Sequence, residues 1–316
     1  MKKTVILSLA LSIIILITLT ASYLEVDDFM LDNPFWNGLS EVNNLLKPRA
    51  LYSYSELPMS GYNMTLLIIG PEKNFTYSEA EAVAGFINRG GRVILADESG
   101  FGNSLLERLN LSVRIYGGLL VDPLFKERNE KLPRARYLSS NYVGEVVLNY
   151  ASVIEGCSNP LLSTSSYSYI DENLNDEWDE GEDKGPFTVG CSVKIGEGEL
   201  IIFSDSSLFI NSMIGKGLNK KLLLNIVEDR NVLIDHSHWT QTIFTIIRGL
   251  TIQFLRIFNI PEARYTIIFS VFLIMFRFKP AIKKTMNRVS IEDLLKLNPS
   301  WSREVLERLA KEIKYG

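Results

Sequence analysis

The chain has 316 residues, of which 46% are hydrophobic and 22% charged, and its formal net charge is −4. Residues 1–22 carry +2, and residues 277–316 carry ten basic and five acidic side chains, +5; taken from the total of −4, these leave −11 for residues 23–276. The length suffices for one large or two small domains with a substantial core, and an acidic centre of that size argues against nucleic acid as its partner.

The first predicted element is "TVILSLALSIIILITLTA", residues 4–21, which follows Lys2 and Lys3 and has no charge for eighteen residues. A helix of that length spans roughly 27 Å, enough for a hydrocarbon core. It reads as an uncleaved anchor over residues 1–22, the alternative being a signal peptide with Ala21 at the cleavage site. A short helix near 36–46 and a strand near 50–55 come next. "MTLLIIGP" (64–71) is a continuous apolar run stopped by Gly-Pro, which suits a strand buried on both faces. "TYSEAEAVAGFINRGG" (76–91) has Thr76 and Glu79 at capping-box spacing and closes on two glycines, so it reads as a helix. "RVILADESG" (92–100) is the following strand and "SLLERLN" the next helix.

Residues 112–195 form a less regular insert with strands near 145–149, 161–169 and 187–195. The pattern then resumes with a hairpin entry and strand in "GEGELIIFSDSS" (196–207), a helix in "NKKLLLNIVEDR" (219–230) and a strand in "NVLIDH" (231–236). Alternation of this kind implies an α/β, Rossmann-like fold, a mainly parallel sheet with helices on both faces and right-handed crossovers. Arg248 and Arg256 fall on roughly one face of "TIFTIIRGLTIQFLRIFNI" (242–260), so residues 241–260 read as an amphipathic helix in the membrane interface. "YTIIFSVFLIMF" (265–276) spans the bilayer as part of a helix over 261–279 if Arg264 and Arg277 snorkel. Residues 280–316 hold two short helices, the first opened by Ser290 and Asp293, the second with Val305, Leu306, Leu309 and Ile313 on one face. Both apolar segments are basic on their chain-terminal side. The positive-inside rule therefore places both termini in the cytoplasm and residues 23–240 outside the cell membrane.

Three strands end in polar side chains, at Asp97–Glu98–Ser99, Asp205–Ser206–Ser207 and Asp235–His236. In an open parallel sheet such ends share the ligand-binding edge, and Asp97, Glu98, Asp205 and His236 are the candidates for hydrolytic chemistry. The plainer reading is that Asp and Ser there cap the next turn or helix. In "IDHSHW" (234–239), His236 and His238 with Asp235 make a minimal metal or general-base set, against packing beside Trp239. No Gly-x-Ser-x-Gly elbow or Gly-x-x-x-x-Gly-Lys loop occurs. Cys157 and Cys191, the two cysteines, are expected to pair and close residues 158–190.

"DENLNDEWDEGED" (171–183) has eight acidic residues in thirteen. Its spacing places Asp171, Asn173, Asn175, Glu177 (through its backbone carbonyl), Asp179 and Glu182 at the ligand positions of an EF-hand-type calcium loop. Asp176 stands where such a loop has glycine. The alternative is a solvated acidic loop, and no other cofactor is expected.

"NPFWNGLSEVNNLL", "LLIIGPEKNFTYSEAEAVAGFINRGGRVILADESGFGNSLLERLN", "LVDPLF", "GEGELIIFSDSSLFIN" and "VLIDHSHW" together resemble a membrane-anchored family, domain-of-unknown-function family 4350. Its exported domain is similar to the class I glutamine amidotransferase fold, in which a catalytic cysteine follows a central strand. The matching place here, "ADESG", has no cysteine, so the resemblance implies the fold without that activity. It also implies a part in envelope assembly beside a MoxR-type AAA ATPase. The function expected is a membrane-tethered, non-catalytic binding or scaffold module. Its partners would be the bilayer, an extracytoplasmic ligand, and a cytoplasmic protein docked through residues 279–316.

Overall fold

The computed structural model describes residues 2–138, 144–257, 259–283 and 291–315. The chain divides into two compact units, residues 1–249 and 250–316. The first unit begins with α1 (Lys2–Ser22) and α2 (Ser40–Leu46), then β1 (Arg49–Leu51), β2 (Met64–Ile69), α3 (Tyr77–Asn88), β3 (Arg92–Ala96) and α4 (Asn103–Arg108). The insert supplies β4 (Arg114–Tyr116), β5 (Leu119–Val121), β6 (Arg134–Tyr137), β7 (Glu145–Val147), β8 (Val153–Glu155), β9 (Pro160–Ser163), β10 (Tyr169–Asp171) and β11 (Thr188–Ile195). Then follow β12 (Gly198–Phe203), α5 (Asn219–Val227), β13 (Asn231–Asp235) and α6 (Ile243–Ile257), which runs across the division. The second unit holds α7 (Pro261–Lys283), α8 (Ile291–Leu297) and α9 (Arg303–Tyr315). Ser290, expected to open α8, lies outside the described residues.

The nine-stranded sheet has the order β1-β13-β2-β3-β12-β11-β9-β6-β7. Its first five strands are mutually parallel, as the βα alternation predicts. The remaining four are antiparallel and come from the insert. The insert thus extends the same sheet instead of standing apart from it. Along β2, β3 and β12 the side chains alternate between two cores: Leu67, Ile69, Ile94, Ile201 and Phe203 pack on one face, Leu66, Ile68, Val93, Leu95 and Ile202 on the other. Strands buried on both faces therefore read as continuous apolar runs. α5 covers the first face with Leu222, Leu223 and Ile226, and α3 covers the second with Ala80, Val83, Phe86 and Ile87. The capping box of α3 is present: Glu79 N–H donates to Thr76 Oγ1, and Thr76 N–H to Glu79 Oε2 at 2.7 Å.

Local polar groups explain where elements depart from expectation. The helix expected near 36–46 begins at Ser40 because Asn33 holds a preceding turn, accepting from Phe35 N–H (2.8 Å) and donating to the Asp27 carbonyl (2.9 Å). β1 is short because Ser53 caps a 3-10 turn at residues 54–56. The strand expected over 161–169 is two strands, β9 and β10. Between them Ser165 Oγ donates to Asp122 and accepts from Tyr167 N–H, so side chains compete with the ladder there.

Among the described residues no single helix is long and apolar enough to cross a membrane; α6 taken with the first ten residues of α7 has the length and composition of a broken span. Cys157 and Cys191 form a disulfide with 6.0 Å between Cα atoms, tying the segment after β8 to the buried β11. A cross-link 34 residues apart stabilises by constraining the unfolded chain. Cys157→Ser with Cys191→Ser is expected to lower unfolding free energy by about 3–4 kcal/mol, measured by denaturant titration beside the reduced wild type.

Candidate functional site

The sheet edge at the carboxyl ends of the parallel strands is organised by carboxylates that accept backbone N–H groups. Asp97, buried after β3, accepts from Ser99 (2.8 Å), Gly100 (3.2 Å) and Gly102 (2.7 Å), and so folds residues 99–102 over the strand end. Asp205, buried after β12, accepts from Ser207 N–H (2.8 Å) and, across the insert, from Asn149 N–H (2.8 Å). Between them Glu98 accepts from Ser206 N–H at 2.7 Å. Burial raises Asp97 from 3.8 to about 6, against the lowering effect of its N–H donors and with a smaller raising effect from Glu98. Burial and the charge of Glu98 push Asp205 well above the carboxylate range.

These turns wall a cleft of about 440 Å³. Phe101 enters it from the turn that Asp97 holds, and Tyr150 from the segment that Asp205 holds. Trp36 enters from a third loop, fixed where Asn211 Nδ2 donates to the Asn33 and Phe35 carbonyls. Asp28, Glu72 and Glu98 also line it, and Phe29 packs on Gly70 at the end of β2. Gly70 has φ +56°, and a Cβ there would stand 2.5 Å from the Phe29 ring, so glycine is required on both counts. The sequence named Asp97, Glu98 and Asp205 but missed the aromatic residues. Their one signal was an aromatic residue beside Gly or Asn in each of "PFWNG", "SGFGN" and "LNYAS".

His236 is not brought to this group. It follows β13, two strands from β3 and three from β12, or roughly 10 and 14 Å by strand spacing. Its ring lies between Tyr52 (5.2 Å) and Trp239 (4.5 Å), and burial lowers its pKa. His238 turns inward: Nδ1 lies 2.6 Å from Asp235 Oδ2, and the ring stacks on Phe75 at 3.8 Å. Its Nε2 stands 3.7 Å from Glu79 in the capping box of α3. The two histidines therefore do not share one ligand position: His236 packs beside Trp239, whose indole donates to the Ile69 carbonyl, and His238 packs against Phe75 and Tyr54. Among the described residues no group of three or more His, Cys, Asp or Glu side chains is placed to hold a metal ion.

In the acidic loop, the buried Asp171 accepts from Asn175 N–H (3.2 Å) and Asp176 N–H (2.9 Å). Asp179 accepts from the amides of Asn173 (2.6 Å) and Asn175 (2.8 Å), and Glu182 from Glu172 and Asp179 N–H. Glu177 N–H donates to Asn175 Oδ1 (2.8 Å). The expected ligands thus lie in one connected turn. Asp176 adopts φ 66°, the left-handed conformation that glycine supplies in EF-hand loops.

A family model described as DUF4350, a domain of unknown function, matches residues 32–227. No curated protein matches the chain. A solved structure described as "mmIFT52 N-terminal domain" is 16% identical, with 56% of this chain and 81% of that one covered and a TM-score of 0.41. The β-galactosidase from Bacillus circulans sp. alkalophilus is 15% identical over 52% of this chain and 22% of its own, with a TM-score of 0.34. Gan42B, a GH42 β-galactosidase from G. stearothermophilus, is 14% identical over 53% and 22%, with a TM-score of 0.30. The chain spans only 22% of either β-galactosidase. The functional reading rests on this chain's own residues.

The raised Asp97 gives a pH signature. Between about pH 4 and 6 its carboxyl holds a proton in the folded state that the unfolded chain has released, so rising pH costs stability. Relative to Asp97→Asn, the wild type is expected to lose on the order of 2–3 kcal/mol across that window, read from urea unfolding at each pH; a constant difference between the two proteins would refute the assignment.

Proposed function

The chain belongs to the DUF4350 family, and we propose that it is a membrane-tethered, extracytoplasmic binding or scaffold module without catalytic activity, its ligand seat being the cleft at the parallel sheet edge. The observation that carries this reading is a junction between residues 23–27, just after α1, and residues 242–248, at the start of α6. Arg248 donates to the Tyr23 carbonyl (2.8 Å) and lies 3.4 Å from the buried Glu25. The Thr245 hydroxyl lies 2.7 Å from Glu25 and from Asp27, and Thr242 N–H donates to Asp27 at 2.8 Å. The chain thus enters and leaves the domain at one place, as a domain held to one bilayer surface at both ends requires. At and just after the junction, α6 exposes Ile243, Phe244, Ile247 and Leu250, side chains suited to the interface of a bilayer.

The parallel core supports an amidotransferase-like scaffold, and the loss of both cysteines to a disulfide supports its being without that chemistry. Asp97 and Asp205 are engaged as turn caps, and His236 stands apart from them, which leaves the hydrolase alternative with less support. In this reading residues 279–316 dock a cytoplasmic protein partner, and the protein takes part in envelope assembly alongside an AAA ATPase system. The exposed Trp301, Val305 and Leu309 around the start of α9 suit such a contact. Residues 171–182 would hold calcium outside the cell, where the ion is abundant enough for a weak site.

Two measurements test these statements. Protease added to intact cells is expected to degrade residues 23–240 and spare a C-terminal epitope tag; loss of the tag refutes the topology. Calorimetry is expected to detect weak calcium binding that Asp179→Asn with Glu182→Gln removes; no heat, or unchanged binding in the variant, refutes the calcium site.

A further inference from the structure

We infer that the cleft at the sheet edge receives an organic cation, a primary ammonium or guanidinium group carried on an apolar stem; this rests on the binding reading above and names its ligand class. Among the described residues, the charged ones that line the cleft are Asp28, Glu72 and Glu98, and no lysine or arginine is among them. Each of the three has a neutral donor: the Asn37 amide for Asp28, Thr240 N–H for Glu72 and Ser206 N–H for Glu98. Among the described residues none of the three carboxylates is paired with a lysine, arginine or histidine, and all three border the same space. In a walled cleft, a single sign of charge concentrates the field and selects the opposite sign.

The aromatic side chains specify the kind of cation. Trp36 is 69% exposed, and Phe101 and Tyr150 are also exposed. An indole face left to water in a cleft of like-signed carboxylates suits an alkylammonium or guanidinium group, which gains from the ring face and from the carboxylate at once. A hydrated metal ion would gain little from such a wall. An independent feature points the same way. Ser206 lines the cleft and is 1% exposed, and among the described residues its hydroxyl has no hydrogen-bond partner although its N–H holds Glu98. That oxygen is a buried, unsatisfied acceptor beside the cleft, which an N–H donor entering there would satisfy. Glu98 also raises the buried Asp97 and Asp205 below it, so a cation in the cleft relieves repulsion that the fold otherwise tolerates.

The test is calorimetry on the full chain in lipid nanodiscs, with an acetylated and amidated Gly-Lys-Gly peptide, its norleucine counterpart and free cadaverine. The lysine peptide is expected to bind at least about tenfold more tightly than the norleucine peptide. Glu98→Gln, which keeps an acceptor for Ser206 N–H, and Trp36→Ala, at an exposed position, are each expected to weaken it about tenfold. Cadaverine binding as tightly as the peptide assigns the site to free amines, and weaker binding assigns it to basic polypeptide segments; both support a cation site. Equal binding of the norleucine peptide overturns the inference, and if Trp36→Ala abolishes that binding the cleft remains a ligand seat. Absence of binding by the lysine peptide and cadaverine also overturns the cation. Binding that neither variant changes removes both the cation and the cleft.

Discussion

The structure depends on buried aspartates that satisfy backbone N–H groups where strands turn. Asp97, Asp122, Asp171, Asp205 and Asp235 are all buried. Each accepts from the backbone of the turn that follows it: Asp122 from Leu124 and Phe125, Asp235 from Ser237, and the others as described above. A buried N–H without an acceptor costs about as much as a lost hydrogen bond, and a buried carboxylate costs several kcal/mol in desolvation. Placed together, each removes much of the other's penalty. The imbalance left over appears as the raised pKa of Asp97 and Asp205, where burial outweighs the donors.

This constraint decides what the sheet edge can be. A carboxyl group with three N–H donors, as at Asp97, is held in place by the turn it caps. Its consequence is positional. Asp97 fixes the turn bearing Phe101, and Asp205 reaches across to Asn149 and so fixes Tyr150. Asp97 and Asp205 are thus supports of the cleft, while its contact surface comes from Glu98 and from the aromatic residues that the two aspartates hold in place.

The parallel half of the sheet was legible because its strands are buried on both faces, which leaves unbroken apolar runs such as "LLII" and "VILA". The insert was legible only in part: β7, β9 and β11 lie where strands were expected, but β4, β5 and β8 have only three residues each, too few for a period to show. The disulfide was legible from count alone, two cysteines in a chain expected to be exported. At the strand ends, Asp97 and Asp205 could be located but not assigned, since a cap and a catalytic group have the same local sequence. Trp36, Phe101 and Tyr150 line one cleft because Asn211 donates to the Asn33 and Phe35 carbonyls, Asp97 accepts from the turn before and after Phe101, and Asp205 accepts from Asn149, and only the Asp97 turn is encoded by spacing along the chain.

Residues 25–29 join the junction with α6 to the cleft. Glu25 and Asp27 hold Thr245 and Arg248 of α6, Asp28 faces the cleft, and Phe29 packs on Gly70 at the end of β2. An ion pair as buried as Glu25–Arg248 adds little net stability, but removal of one partner leaves an uncompensated charge. Its contribution is therefore to geometry: it holds the segment in one path between α6 and the sheet. Any shift of α6 that carries Thr245 and Arg248 with it must move Asp27 or break its hydrogen bonds. The neighbouring residues, Asp28 and Phe29, are part of the cleft wall, so the position of α6 and the shape of the cleft are coupled through two peptide bonds.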